Sequence, residues 1–204
     1  MVSRNVVLEP EHLAHVVKHF MGEDGFSYDT ETVGMHRGTP ALNTVTWLSM
    51  ATCGMAVSIP FGHPVGTRVI GEAKEPRADK NGKIRMFRVP VYEDPPEQMS
   101  IGQAVEILRP LFFSDRTKVC HEATFDLGSM YKYFGEMITG PYEDTKVIEW
   151  LLNENHPQQG LKFHTNRLFG CDYDIESVGK CVEIHPFGKV ARYAYLDALY
   201  TWLI

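Results

Sequence analysis

Phe26-Ser27-Tyr28-Asp29-Thr30-Glu31-Thr32 is the stretch on which the reading of this chain turns. In an extended strand, residues i and i+2 project from the same face, so Asp29 and Glu31 point together. An isolated Asp-x-Glu has a plainer reading, two solvated acids ahead of a loop. Phe26-Ser27-Tyr28 shifts the balance, because a buried strand delivers its acids to a sheet end, where sites tend to form. Two further carboxylates, Asp126 and Asp197, stand in settings able to bring them to the same place. Four converging carboxylates repel one another unless something positive neutralises them, which predicts bound divalent cations.

Outward from this strand, the pattern alternates. Glu9 to Phe20 carries Leu13, Val16, Val17 and Phe20 at helical spacing, and Gly22 to Gly25 breaks it. Thr44 to Thr52 and Met55 to Phe61 read as strands joined by Cys53-Gly54. Gly62 to Arg88 is the least structured-looking stretch, mixing Lys74, Arg77, Lys80, Lys83, Arg85 and Arg88 with Glu72, Glu75 and Asp79 around a hairpin tip at Asn81-Gly82. The acids dilute the basic field, so a solvated hairpin is favoured there over a phosphate-binding one. Helices follow over Ile101 to Phe113, Ala123 to Phe134, Leu161 to Phe169 and from about Val190, with a strand at Lys118-Val119-Cys120-His121. Asp144 stands where an N-cap belongs, before a stripe of Val147, Ile148, Leu151 and Leu152 expected to face the core. Strands first, then strands and helices in alternation, predict an α/β domain with a mixed sheet covered by helices.

The 204 residues fit one domain, 1–204. Hydrophobic residues at 44% and a formal charge of −6 argue for a globular protein and against one that coats duplex DNA through a basic face. Cys53, Cys120, Cys171 and Cys181 form no CxxC pair. Reduced thiols are favoured over a Cys171–Cys181 disulfide or half a zinc site. No signal-type run opens the sequence and no apolar run approaches ~18 residues, so a cytoplasmic protein without a membrane partner is expected. An apolar helix still running at Ile204 reads as a chain cut from something longer.

Asp126 follows Phe125 in the first turn of a predicted helix, where the macrodipole favours a negative charge with or without a metal. Tyr193 and Asp197 stand four apart in Arg192-Tyr193-Ala194-Tyr195-Leu196-Asp197 and share one helical face. A phenol beside a metal-bound carboxylate can orient a coordinated water, although a packed tyrosine near an exposed Asp fits the same spacing. Other motifs fail on a required residue. His121-Glu122 lacks the second histidine of HExxH at Phe125, and Gly135 to Gly140 meets Pro141 where a P-loop needs Lys.

Together, Phe26 to Thr32, Val119 to Met130 and Tyr193 to Asp197 resemble the three motifs of the DEDD superfamily of 3′–5′ exonucleases, in the branch that uses tyrosine. The likeness is to the proofreading domain of family A DNA polymerases, particularly those of bacteriophages. The histidine branch would place its His at position 192, which is Arg here. This resemblance implies an RNase H-like fold, two Mg²⁺ or Mn²⁺ ions, and hydrolysis that releases nucleoside monophosphates from a single-stranded or frayed 3′ end of DNA. It implies that Asp29, Glu31, Asp126 and Asp197 hold the metals. Asp29 would bridge them, with Tyr193 and Glu31 positioning the attacking water. Thr32, Met35, His121, Glu122 and Ile175 fall at substrate-facing positions, and a polymerase domain in the same longer chain is the implied partner.

One departure stands out. The family places Asn where this chain has Glu122, so a carboxylate near the phosphates is expected to weaken strand binding. Two other readings remain open at this point: a free-standing DNA or RNA exonuclease, and a silent domain kept for binding strands or for scaffolding. The retained acids and tyrosine speak against silence.

Overall fold

The computed structural model describes residues 5–34, 38–78, 80–155, 158–173 and 177–204. Met35 and Ile175 lie outside these residues.

Helix α1 (Pro10–Phe20) opens with proline in its first turn, where the missing N–H costs nothing. It buries the four predicted residues Leu13, Val16, Val17 and Phe20. Three strands follow, β1 (Gly25–Val33), β2 (Thr44–Thr52) and β3 (Met55–Pro60), and then the hairpin β4 (Val69–Ala78) and β5 (Ile84–Tyr92). The remaining elements are α2 (Ile101–Phe112), β6 (Thr117–Cys120), α3 (Ala123–Phe134), β7 (Tyr142–Asp144), α4 (Thr145–Leu152), α5 (Leu161–Phe169) and α6 (Phe187–Leu203).

The main sheet runs β3-β2-β1-β6-β7. Its first two ladders are antiparallel, and β1–β6 and β6–β7 are parallel, so the sheet is mixed, as expected. Residues on one face, including Phe26, Tyr28, Leu48 and Met50, pack with Leu13, Leu108, Phe112 and Met130 from α1, α2 and α3. The other face is short and small: Ser27, Ser49 and Ser58 are fully buried. α6 lies on that side with Ala191, Ala194, Ala198 and Thr201 buried. Small residues on both partners let helix and sheet approach closely. Ser27 Oγ donates to the Ala198 carbonyl at 2.6 Å. Packing of this kind carries Asp197, one position before Ala198, down onto β1.

Several expectations need correcting. β1 is longer than the short strand read from Phe26 to Asp29, and its acids sit within it rather than at its end. Between Glu31 and Thr32 the register with β2 shifts, leaving Thr46 without a partner across the ladder. Such a bulge bends the strand and re-aims its side chains. The stretch after Gly62 is not loose: β4 and β5 pair over most of their length, but no second layer covers them. The stripe on α4 does not face the core, since Val147, Ile148, Leu151 and Leu152 are all exposed, Leu152 by 76%. α4 hangs from β7 at the sheet edge, and periodicity marks an apolar face without saying what covers it. β7 is too short to show an alternation, and α6 begins three residues before Val190.

No helix among the described residues is long and apolar enough to cross a membrane. All four cysteines are free thiols.

Candidate active site

β1 places Asp29 and Glu31 on the face that meets α6, and α6 places Tyr193 and Asp197 opposite them. Asp29, Glu31 and Asp197 each offer a carboxylate oxygen, and these oxygens all lie within 4.8 Å of one another. Asp126 comes from the first turn of α3 and lines the same cleft of about 230 Å³. It stands apart from that group of three because Thr30, which points to the opposite face of β1, holds it. Asp126 Oδ1 accepts from the Thr30 amide at 2.9 Å and from its hydroxyl at 2.6 Å.

Burial raises the pKa of the Asp29 carboxyl well above its usual range, and Asp126, Asp197 and Glu31 raise it further. Asp126 is pushed up to about 7 by burial, against the two hydrogen bonds from Thr30. The fold therefore holds these acids where their negative charge is costly.

Lys162, in the first turn of α5, answers part of that charge. Its Nζ donates to both oxygens of Asp197, at 2.6 and 2.8 Å, and to the Tyr193 hydroxyl at 2.8 Å. It lies 4.6 Å from the Tyr193 ring centroid and 5.3 Å from that of Tyr173. Burial pulls the lysine pKa down, but Asp197, Asp29 and Glu31 outweigh it and the net shift is upward. Tyr173 donates its hydroxyl to Asp197 Oδ1 as well. Tyr193 and Asp197 are both buried.

His121 and Glu122 stand on the turn that joins β6 to α3. Both ring nitrogens of His121 are engaged, Nδ1 with Thr145 Oγ1 at 2.9 Å and Nε2 with the Gln159 carbonyl at 3.0 Å. Burial lowers its pKa to about 4, so the ring is neutral at pH 7. A carbonyl can only accept, which places the proton on Nε2. Glu122 caps α3 with φ 75°, a left-handed conformation that side chains other than Asn, Asp and Gly rarely adopt. Asp144 holds this turn: its carboxylate accepts from the amides of Glu122 (3.1 Å) and Ala123 (2.9 Å) while capping α4 at the Lys146 amide. The Glu122 carboxylate points to solvent and pairs with Lys146 Nζ at 2.8 Å. Its charge is therefore not bare, as the sequence suggested, but already answered. Thr32 lies past the bulge, half-buried and paired with Val45.

Glu122 and Phe125 line a second cleft of about 510 Å³ with Gly38, Pro40 and Thr124, so the two spaces meet at these residues. Sequence reading missed Thr30, Phe125, Lys162 and Tyr173. Lys162 did leave a signal, since a lysine in the first turn of a helix opposes the macrodipole and needs acids nearby to hold it.

The fold has known counterparts. Escherichia coli RNase D superposes with a TM-score of 0.61 over 98% of this chain and 42% of its own, at 14% identity. The catalytic core of RRP6 from Trypanosoma brucei gives a TM-score of 0.63 over 97% and 44%, at 15% identity. Brucella melitensis NrnC with bound Mg²⁺ gives 0.54 over 87% and 68%, at 22% identity. The chain thus spans less than half the length of the RNase D and RRP6 chains. These likenesses identify a mixed sheet flanked by helices of the RNase H-like kind. No curated protein matches the chain. The sequence pattern of the 3′–5′ exonucleases matches residues 87–204, a span that takes in Asp126, Tyr193 and Asp197 and more than half of the chain. By that match, on a fold of the same kind, the chain belongs to the 3′–5′ exonuclease family.

Proposed function

We propose that this chain removes nucleoside monophosphates from the 3′ end of DNA with the help of two divalent cations, Mg²⁺ or Mn²⁺, and that it edits for a family A-type DNA polymerase. The observation that carries this reading is the convergence of Asp29, Glu31 and Asp197 within 4.8 Å, beside the Tyr193 hydroxyl.

The donor set fits hard cations: it consists of carboxylate oxygens, the ligands Mg²⁺ and Mn²⁺ take. Burial first, and then the charges of Asp126, Asp197 and Glu31, raise the pKa of Asp29, which supports a place for added positive charge beside it. Asp29, Glu31 and Asp197 would hold one ion, and Asp29 and Asp126 the other. Bound there, the ions stabilise charge on the attacking and leaving oxygens.

The protein's own groups do the rest. The 3′-terminal nucleotide enters the cleft between β1 and α6, and the strand behind it follows the adjoining space past Phe125, whose ring offers a base a stacking surface. Tyr193 and Glu31 orient a water for attack on the terminal phosphorus. A water oxygen–phosphorus bond forms as the bond to the 3′ oxygen of the preceding nucleotide breaks; the attacking water gives up a proton to solvent and the leaving 3′ oxygen takes one up. The products are a nucleoside 5′-monophosphate and a strand one nucleotide shorter with a new 3′ hydroxyl.

A second reading, action on RNA, draws on the structural likeness to RNase D, described as an exoribonuclease involved in structured RNA processing. One experiment tests both. 5′-labelled single-stranded DNA and RNA of the same sequence are incubated with Mg²⁺, Mn²⁺ or EDTA. A ladder shrinking from the 3′ end of DNA, faster than of RNA and absent in EDTA, is the expected result. Shortening of RNA alone would overturn the proofreading role, and no shortening of either strand would overturn the activity.

A further inference from the structure

We propose that Lys162 is a resident counter-cation of the carboxylate group, one that yields Asp197 to a divalent ion when a nucleotide phosphate arrives to take its place. This inference rests on the metal-dependent reading above and adds a coupling between metal and substrate.

The geometry leaves little room for both cations on Asp197. The Lys162 ammonium spans both carboxylate oxygens, at 2.6 and 2.8 Å. Tyr173 donates to one of these oxygens as well. A divalent ion shared by Asp29, Glu31 and Asp197 needs one of them, and it would meet the ammonium at close range. Like charges so placed do not coexist, so the lysine must withdraw for the ion to enter.

Withdrawal is structurally easy. The lysine side chain is unbranched and 35% exposed, whereas Asp197 is 4% exposed, so the lysine is the mobile partner. Its backbone sits in the first turn of α5, beside Leu161 on the rim of the cleft. That location disfavours a cation on dipole grounds, so the acids rather than the helix hold it. Once displaced, the ammonium stays within the cleft that would receive the substrate, where a phosphate oxygen supplies a new anionic partner.

Metal entry and phosphate binding therefore favour each other. Without phosphate, Asp197 would gain an ion in exchange for Lys162, but the ammonium would be left with no anionic partner. With phosphate present, the ammonium exchanges one anion for another. Because such coupling is reciprocal, metal tightens nucleotide binding by the same factor that nucleotide tightens metal binding.

The test measures binding rather than turnover. Mn²⁺ titrations by calorimetry are run with and without thymidine 5′-monophosphate, a product that cannot be cleaved further, on the unaltered protein, Lys162→Met, Lys162→Arg and Asp29→Ala. In the unaltered protein the nucleotide should tighten Mn²⁺ binding about tenfold, within the usual range of coupling between sites. Lys162→Met should bind Mn²⁺ tightly without nucleotide and lose most of that increment. Lys162→Arg should keep it, since a cation remains. A Lys162→Met protein whose Mn²⁺ affinity and nucleotide increment both equal those of the unaltered protein would overturn the exchange, while loss of Mn²⁺ binding in Asp29→Ala would leave the metal site itself standing. If the unaltered protein and Asp29→Ala bind Mn²⁺ equally weakly, the metal-site reading falls and takes the exchange with it.

Discussion

The Tyr193 ring rests directly on the backbone of Gly179: a methyl group built on that glycine would come within 2.9 Å of Tyr193 Cζ and closer still to the hydroxyl. Gly179 thus helps to set where the hydroxyl sits, although it lies outside the Tyr193 to Asp197 motif. Gly179→Ala should push the phenol off its position without removing any carboxylate. Hydrolysis should fall to a degree similar to Tyr193→Phe, and less than on loss of a metal ligand, with Mn²⁺ binding retained. Rates on a labelled oligonucleotide, compared across the two variants, check this. Unchanged turnover in Gly179→Ala would mean the hydroxyl position is not used.

Asp29→Ala removes the carboxylate at the centre of the group. The expected outcome is a folded protein whose hydrolysis rate falls by about 10²- to 10⁴-fold, the scale of several kcal/mol of transition-state stabilisation. Circular dichroism confirms the fold and a single-turnover assay reads the loss. Full activity in a folded Asp29→Ala protein would end the assignment of this cluster.

The raised carboxyl pKa values carry a stability signature. Burial pushes the Asp126 pKa up to about 7 in the folded chain, and that of Asp29 is also raised, whereas an unfolded Asp has a pKa of ~3.9. A raised folded pKa means the fold favours the protonated acid. That stabilisation is fully present below about pH 4 and is lost as the pH climbs through about 7. In EDTA, the contribution of these acids to stability should fall between pH 5 and pH 8 by an amount on the order of 2–4 kcal/mol, lowering the unfolding midpoint. Mg²⁺ or Mn²⁺ should restore it at the upper end. Scanning calorimetry of the unaltered protein and of Asp126→Asn decides the matter, since the lowered pKa of His121 acts the opposite way in both; a loss of stability from pH 5 to pH 8 as large in Asp126→Asn as in the unaltered protein would contradict the shift assigned to Asp126.

Glu122→Asn removes a carboxylate from the cleft rim and places there a residue that tolerates positive φ. Lys146 already answers the glutamate, so the gain in strand affinity should be modest. It should appear as a lower KM for a short oligonucleotide at low salt and fade at moderate salt, because exposed charges are screened. The lysine freed from its pair becomes available to phosphate, which acts in the same direction. Equal KM values at low salt would show that the carboxylate does not bear on the strand.

Much of this architecture was legible because its signals are local. Gly170, with φ 64°, ends α5 after Phe169, where the helix was expected to stop, and Asp144 caps α4 as its position suggested. The alternation that puts Asp29 and Glu31 on one face also holds, because β1 is central and its two faces meet different helices. What escaped notice depends on long-range contacts. Nothing near Lys162 in the sequence names Asp197, 35 residues later, as its partner. Thr30 lies between two acids in the sequence, yet the same alternation sends it to the other face, where it grips Asp126. The α4 stripe misled for the opposite reason, since its pattern is sound but its location at the sheet edge is set by β7. The role of Asp144 as a holder of the Glu122 turn needs the parallel β6–β7 pairing, which juxtaposes Cys120 and Asp144.

The hairpin of β4 and β5 has a narrow root. The chain leaves and returns at Arg68 and Glu93, joined by two backbone-anchored hydrogen bonds and an ion pair of 3.2 Å. Beyond that root neither face is covered, so the arm adds length to the polypeptide without adding to the interior. Replacing residues 69–92 by a short link should leave the thermal midpoint of the body almost unaltered. The spacing between Asp29 and Asp126 along the chain is consequently free to drift, while their spacing in the molecule is fixed by the ladder of β1 against β6. An arm of this kind lengthens the sequence between two halves of a site and leaves the site the same size.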